Sequence, residues 1–428
     1  MDASTLHPQR WMWTFIPIWT GQLFSIVGSQ VAQFALVWWL TQSTGSATVL
    51  ATATLVAVLP GVLIGPFAGA LVDRWNRQRT MVIADALGAL TALALALLFW
   101  SGALEIWHVY VAMFVRSICG TFHVPAEQAS IALMVPKEQL SRVGGLNQML
   151  QGATSIAGPP LGALAISAMP LGGAMLIDVF TALIAIVPLL LVRLAQPPRG
   201  SAHAATGNLL VDLREGLRYV LRWPGLLTIL AISASLNFLF APAFALLPLL
   251  VTKHFGGGAL ALGWLSASWW VGVLGGGLLL STWGGFKRRI VTALSALVAM
   301  GIFVLAVGLT PASGFWLAFG AFVAAGVCNA LANGSLLAML QSVIAPEMQA
   351  RVFTLIGSAS MAMMPLGLAI SGPLADRYSV QIWFALAGAL CIMMGVAARL
   401  NGGVMRLEDS APPHGGALVA DGATDPAA

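Results

Sequence analysis

Charge is what this 428-residue sequence has least of. Asp, Glu, Lys and Arg together make up 8% of it, against 59% hydrophobic residues. A soluble chain of this length would carry roughly three times that charge. A set of ordinary soluble domains is therefore excluded. The uncharged apolar runs reach the ~20 residues that cross a ~30 Å hydrocarbon core as a helix, and they recur along the chain. The short alternating strands of a membrane β-barrel are missing. The composition thus predicts an all-α integral membrane protein, with the lipid bilayer as its first partner.

Other shortages narrow the function. The lysines are Lys137, Lys253 and Lys287, and none stands in a Gly-Lys-Ser or Gly-Lys-Thr context. A phosphate-cradling loop needs that context, so the chain does not power itself with ATP. The three cysteines, Cys119, Cys328 and Cys391, fall inside apolar runs without metal-ligand spacing. They read as small buried hydrophobes rather than a disulfide framework. No zinc-protease helix motif is present, and the one adjacent acid pair is Glu408–Asp409 near the end. The expectation is no enzyme, no metal, no cofactor and no nucleic-acid partner. The N-terminus does not read as a cleaved signal. One positive charge precedes an apolar segment that runs on into Trp38 and Trp39.

What is present in abundance is the apolar span. Twelve candidates lie near 13–40, 47–72, 80–101, 105–129, 143–168, 172–194, 225–251, 259–283, 289–310, 314–341, 350–374 and 380–400. With the N-terminus inside, seventeen of the twenty Lys and Arg residues fall on inner segments. Only Lys253 and Arg377 fall outside, and Arg116 lies within a span. Cytoplasmic loops carry such a positive excess. The split therefore supports twelve spans with both termini cytoplasmic.

The chain also repeats itself. "PLGALAIS" (160–167) returns as "PLGLAIS" (365–371), and "VPKEQLSRV" (135–143) as "APEMQARV" (345–352). Phe34-Ala35-Leu36 returns as Phe244-Ala245-Leu246, and Cys119 as Cys328. The offsets agree within a few residues. The expected organisation is a six-helix bundle over 1–194, a linker over 195–224, a second bundle over 225–406 and a disordered tail over 407–428. The linker holds an amphipathic helix at 209–223, and the tail is rich in Ala, Pro, Gly and Asp. Both halves begin inside, so they are parallel pseudo-repeats. That is the plan of transporters with a midplane site between rocking halves.

Ionisable groups inside spans are costly and so are functional candidates. Arg116, Gly120, His123 and Glu127 share one face of the fourth span. Two readings of Arg116 stand, a packing anchor on backbone carbonyls or a fixed charge that governs proton exchange. Glu127 is either an inner-gate partner of Arg77 or a proton carrier. Asp178 is a proton carrier or a structural hydrogen-bonding group. His123 is a proton relay or a satisfied buried histidine. Asp85 is expected to pair with the inner arginines. Gln22, Ser25, Ser29 and Gln33 form a polar stripe on the first span. With Asn237, Asn329, Asn333, Phe240 and Phe244 they read as either interhelical hydrogen bonding or the wall of a substrate cavity. Gly61, Gly65 and Gly69 give a smooth face on the second span, ending in Asp73, Arg74 and Arg77. Asp73 is expected to hold the N-terminal end of the eleventh span, where the helix dipole favours a negative charge. That contact would latch the inner gate.

These residues resemble the major facilitator superfamily, and most closely its branch of macrolide-efflux proteins and the enterobactin exporter. The family's motif after the second span is Gly-x-x-x-Asp-Arg-x-Gly-Arg-Arg/Lys. Here it is Gly69, Asp73, Arg74, Asn76, Arg77 and Gln78, with Asn76 for glycine and Gln78 for the second basic residue. Asn tolerates the left-handed backbone nearly as well as Gly, so the turn is expected to survive. Arg116 matches the span 4 arginine linked in the family to proton coupling. "GPPLGA" is similar to the core of the antiporter motif through Gly158, Pro159 and Gly162, with Ala163 and Thr154 departing from it. The resemblance implies the major facilitator fold and a proton-coupled antiporter. Such a protein exports lipophilic or amphipathic small molecules by alternating access, as a monomer in the bacterial inner membrane. A dedicated siderophore or metabolite exporter of the same superfamily stays open, as does a transport-dead sensor.

Overall fold

The computed structural model describes residues 10–192 and 217–409, and these residues are helical almost throughout. Among the described residues twelve long helices follow one another: α1 Arg10–Thr44, α2 Ala47–Arg74, α3 Arg77–Trp100, α4 Ile106–Met134, α5 Leu140–Ala168, α6 Leu171–Leu191, α7 Pro224–Leu249, α8 Ala259–Trp283, α9 Arg289–Leu309, α10 Phe315–Val343, α11 Pro346–Arg377 and α12 Val380–Leu400. Eleven are long and apolar enough to cross a membrane. The other, α5, is as long, but its first half carries Arg142, Asn147, Gln148 and Gln151. The fold is consistent with the twelve spans expected.

Local chemistry sets the helix ends. Ser46 caps α2 by accepting from the Val49 N–H, and Asn76 caps α3 by accepting from the Arg79 N–H. Asn76 does this with φ −75°, so the left-handed backbone expected there is not adopted. The cap replaces it. Gln78, where the family motif has a basic residue, donates to the Leu189 and Val192 carbonyls that end α6. Prolines sit inside α2, α5, α7 and α11. Neighbouring helices in a membrane bundle make such positions tolerable.

Packing makes the repeat visible. In the first six helices α1 packs on α5 and α6, α4 on α2 and α3, and α3 on α6. In the second six α7 packs on α11 and α12, α10 on α8 and α9, and α9 on α12. Each pair in one set has its equivalent in the other. The two bundles meet through α2 with α11 and α5 with α8, again an equivalent pair. Small residues carry these crossings. A side chain at Gly263 of α8 would collide with Ala163 and the Pro159 carbonyl of α5, and one at Gly372 with Thr48 and Ala51 of α2. Close backbone approach of this kind drives helix association in lipid.

Both crossings lie at the end of the molecule away from where α1 starts and α12 finishes. Call that the distal end. At the opposite, terminal end the bundles part. A Cβ at Gly65 or Gly69 would meet nothing within 4 Å. The smooth face expected on α2 is therefore unpacked over its terminal half, and only Gly61 approaches α11, at Met361.

The linker 195–224 and its amphipathic helix lie mostly outside the described residues. The tail beyond 409 lies outside them entirely. Leu407–Asp409, assigned to that tail from sequence, form a 3-10 turn with Leu407 buried. Glu408 accepts from the Arg289 N–H at the start of α9, and Arg288 pairs with Asp409.

Candidate functional site

The spacing of apolar and polar residues along α1, α3, α4 and α6 brings four helices around one polar cavity of about 320 Å³. Gln22, Ser25, Ser29 and Gln33 of α1 line it, as do Asp85 of α3, Arg116, Gly120 and His123 of α4, and Asp178 of α6. Asp178 is 2% exposed. It accepts from the Arg116 guanidinium on one oxygen and from the Ser29 hydroxyl at 2.9 Å on the other. Arg116 also donates to the Gly88 carbonyl of α3 at 3.4 Å. A buried ion pair of this kind holds only while both partners stay charged.

Asp85 makes a second centre in the same cavity. Gln22 donates to its Oδ2 at 3.0 Å, and His123 Nε2 lies 3.3 Å from its Oδ1. That last contact has ion-pair distance without hydrogen-bond alignment. The expected pairing of Asp85 with the inner arginines is not formed. α3 begins at Arg77, so Asp85 lies two turns in, about 12 Å along the axis. It therefore stands level with His123. Glu127, one turn beyond His123, borders a smaller cavity with Trp19, Gln22 and Ser130. It does not pair with Arg77. That guanidinium bonds Asp73 at 3.0 Å and the Ala129 carbonyl at 3.1 Å instead. Asp73 is 60% exposed at the terminal end and reaches its own bundle's Arg77, not α11. Arg74 is exposed beside it.

The second bundle holds a cavity of about 440 Å³ of opposite character. Phe240, Phe244, Trp269, Leu294, Leu297, Leu336 and Met364 supply its walls, with Asn237, Asn329 and Asn333 as polar points. Phe244 meets the Trp269 ring edge-on at a centroid distance of 5.0 Å. Asn237 and Asn333 each donate back to a carbonyl one turn earlier on their own helix. The residues expected to form one substrate cavity are thus divided between two.

The two cavities occupy equivalent places. Gln22, Gln30, Asp85, Gly88, Gly120 and His123 line the first; Ile232, Phe240, Leu294, Leu297, Asn329 and Ala332, 209 or 210 positions later, line the second. Between them lies a third space of about 190 Å³ lined by Gln30, Gln33, Pro159 and Phe244. It shares the two glutamines with the polar cavity and Phe244 with the apolar one. Gly158 and Gly162 stand behind it. Side chains there would strike Gln30 and the Phe34 ring, so these glycines let α1 and α5 touch.

Two facing six-helix bundles, packed equivalently around a central chain of cavities, point to a transporter plan. A family model described as Major Facilitator Superfamily matches residues 18–367. The chain belongs to that superfamily. Macrolide efflux protein A of Streptococcus pyogenes is 34% identical over 400 residues, covering 93% of this chain and 98% of that protein. Multidrug efflux pump Tap of Mycolicibacterium fortuitum is 25% identical over 383 residues, covering 87% and 91%. Among solved structures, a bacterial homologue of the human lysosomal transporter Spinster, inward-facing and unoccupied, aligns with a TM-score of 0.69. Its identity is 14%, with 94% of this chain and 98% of that one covered. A bacterial homologue of ferroportin, inward-facing, gives 0.63 at 15% identity, covering 91% and 99%. These likenesses agree on the fold. This superfamily member is a multi-pass membrane transporter rather than an enzyme.

Sequence reasoning missed Asp376. At the distal end its carboxylate accepts from Ser46 Oγ at 2.9 Å, the Ala47 N–H at 2.6 Å and the Thr48 N–H at 2.9 Å. It therefore ties the end of α11 to the start of α2, across the bundles. A signal was available: "GPLADRY" (372–378) restates "GALVDRW" (69–75).

Proposed function

We propose that this protein is a proton-coupled drug exporter of the bacterial cell membrane, with lipophilic and amphipathic molecules such as macrolides as cargo. The observation that carries this is the pair of equivalent cavities, one charged and one aromatic, joined through Gln33 and Phe244. A pocket of roughly 300–1,000 Å³ with aromatic walls and few polar points suits a drug-sized amphiphile. The macrolide-efflux relative, which this chain covers nearly end to end, gives the cargo class its direction. An anionic siderophore would need a spare cation in the cavity. Arg116 is engaged by Asp178, which weighs against that second reading.

The cargo enters from the terminal end, which this reading makes cytoplasmic. It settles in the aromatic cavity, and reorientation of the bundles exposes it on the other side. Asp73 and the first turn of α11 come together when the terminal end closes, and Arg77 then exchanges partners. One monomer contains every part required. In inverted membrane vesicles with an imposed proton gradient, erythromycin uptake is expected to depend on that gradient. Uptake unaffected by collapsing the gradient, with the protein intact, would rule out proton coupling.

A further inference from the structure

The exporter reading leaves open which group exchanges the proton. We infer that it is the Asp85–His123 pair, with Arg116–Asp178 serving as a fixed ion pair. This rests on the proton-coupled reading above. Protonating Asp178 would strand the buried Arg116 charge, and the Ser29 hydroxyl already occupies its second oxygen. Asp85 has no such clamp. Its hydrogen-bond donor, Gln22, is neutral, and among the described residues the group placed to match it as a cation is a protonated His123. With His123 neutral the cavity holds one uncompensated negative charge; with His123 protonated it holds none. An unmatched charge within a span opposes reorientation. The bundles therefore rock when the pair carries a proton or when a cationic cargo supplies the positive charge. That either-or is the logic of exchange.

The surrounding groups fit this assignment. α4 contributes Arg116, Cys119 and Glu127 around the pair, and α6 contributes Asp178. α1 carries no titratable residue but Arg10, and α2 has only Asp73 and Arg74 at its terminal end. Glu127 lies one turn of α4 toward that end and shares Gln22 with the polar cavity. It is the natural acceptor through which His123 gives up its proton when the terminal end is open.

The test is proton release from the purified protein in weakly buffered detergent. Tetraphenylphosphonium serves as probe because it is a lipophilic cation with no proton of its own. Wild type is expected to release protons on binding it. Asp85→Asn and His123→Gln should release at least fivefold fewer protons per tetraphenylphosphonium bound, with binding read separately by Trp269 fluorescence. Ser29→Ala removes one hydrogen bond from Asp178 and leaves the Asp85–His123 pair in place, so any fall in its release should be smaller than in Asp85→Asn. Full release from Asp85→Asn, or a larger loss in Ser29→Ala than in Asp85→Asn, would overturn the inference. A wild type that shows no gradient-driven uptake in vesicles refutes proton coupling itself, a distinguishable result.

Asp376 independently supports a second proposal: the distal gate is a carboxylate latch, the inverted copy of the one at Asp73. α2 and α11 run antiparallel side by side, and the same Gly-x-Leu-x-Asp-Arg-aromatic pattern ends each of them. The two aspartates therefore stand at opposite ends of one interface. Asp376 already holds the N-terminus of α2, with two backbone N–H groups and the capping Ser46. Asp73 stands exposed at the other end of that interface, bonded to Arg77 of its own bundle, and the N-terminus of α11 is its proposed counterpart. Each bundle orientation engages one latch and frees the other. In a background without native cysteines, Ala51→Cys at the distal crossing reports opening by maleimide labelling. Asp376→Asn should raise its labelling rate several-fold, Asp73→Asn should lower it, and the double variant should return it toward the parent. Equal or parallel shifts in the two single variants would defeat the latch pair.

Discussion

The two bundles share their packing but not their chemistry. Where α3 offers Asp85, α9 offers Leu294; where α4 offers Arg116 and His123, α10 offers Ala325 and Ala332. An inward-facing position on these helices evidently bears either a charge network or an apolar wall without disturbing the helix crossings around it. The difference teaches that the fold is indifferent to which bundle carries charge. One copy holds ionisable groups close enough to pair, while the other lines the same space with aromatic and aliphatic carbon. Under the proposed exporter reading neither cavity suffices alone. Gln33 and Phe244 line one space between the two.

The comparison breaks most severely if the charged cavity loses its fixed cation. Arg116→Ala leaves Asp178 buried without a counter-ion, a change that costs about 3–5 kcal/mol where a buried pair is halved. Proton-driven uptake should disappear. Arg116→Ala combined with Asp178→Asn restores the cavity's net charge, and uptake should return to within about tenfold of wild type. A double variant as inactive as the single one would mean that the pair itself does the chemistry. A smaller effect follows from carrying charge the other way. Leu294→Asp places a carboxylate opposite Ala332, with no histidine to meet it. A carboxylate buried without a partner costs more than the ~1–3 kcal/mol of a neutral polar group. Erythromycin affinity, read by quenching of Trp269 and Trp270, should fall roughly tenfold or more. Unchanged affinity would remove the aromatic cavity from the cargo's path.

Much of this was legible before any coordinates. Helix number and repeat follow from hydropathy, from arginine and lysine placement and from short matching segments, because lipid imposes one-dimensional rules on a helical chain. Partnerships were not legible. Arg116 meets Asp178 across 62 positions and Asp85 meets His123 across 38, between helices whose rotation no periodicity fixes. Asp85 went to the wrong neighbours because α3 starts three residues before the apolar run does, which moves every later residue nearly a turn deeper. Arg77 kept Asp73 rather than Glu127 because the two face each other across the break between α2 and α3, while Glu127 turns toward Trp19 of α1. Asp376 escaped because its pattern repeats at the α2–α11 spacing, not at the spacing of the tandem halves.

The mildest test asks whether the asparagines of the apolar cavity select cargo or only hold helices. The Asn237 amide donates to the Ser233 carbonyl of its own helix, a bond internal to α7 that no other helix depends on. Asn237→Leu preserves side-chain volume approximately and the helix has no need of the lost bond, so insertion and heat stability should stay unchanged. A neutral hydrogen bond to a bound hydroxyl contributes about 0.5–1.5 kcal/mol. Export of hydroxyl-rich erythromycin should therefore weaken about threefold, while export of tetraphenylphosphonium, which offers no hydrogen bond, should hold or improve. The informative quantity is the ratio between the two cargoes rather than either rate. Equal losses for both would give Asn237 a packing role and leave selection to the aromatic walls; a shift in the ratio alone would make the polar points of this cavity the place where cargo is chosen.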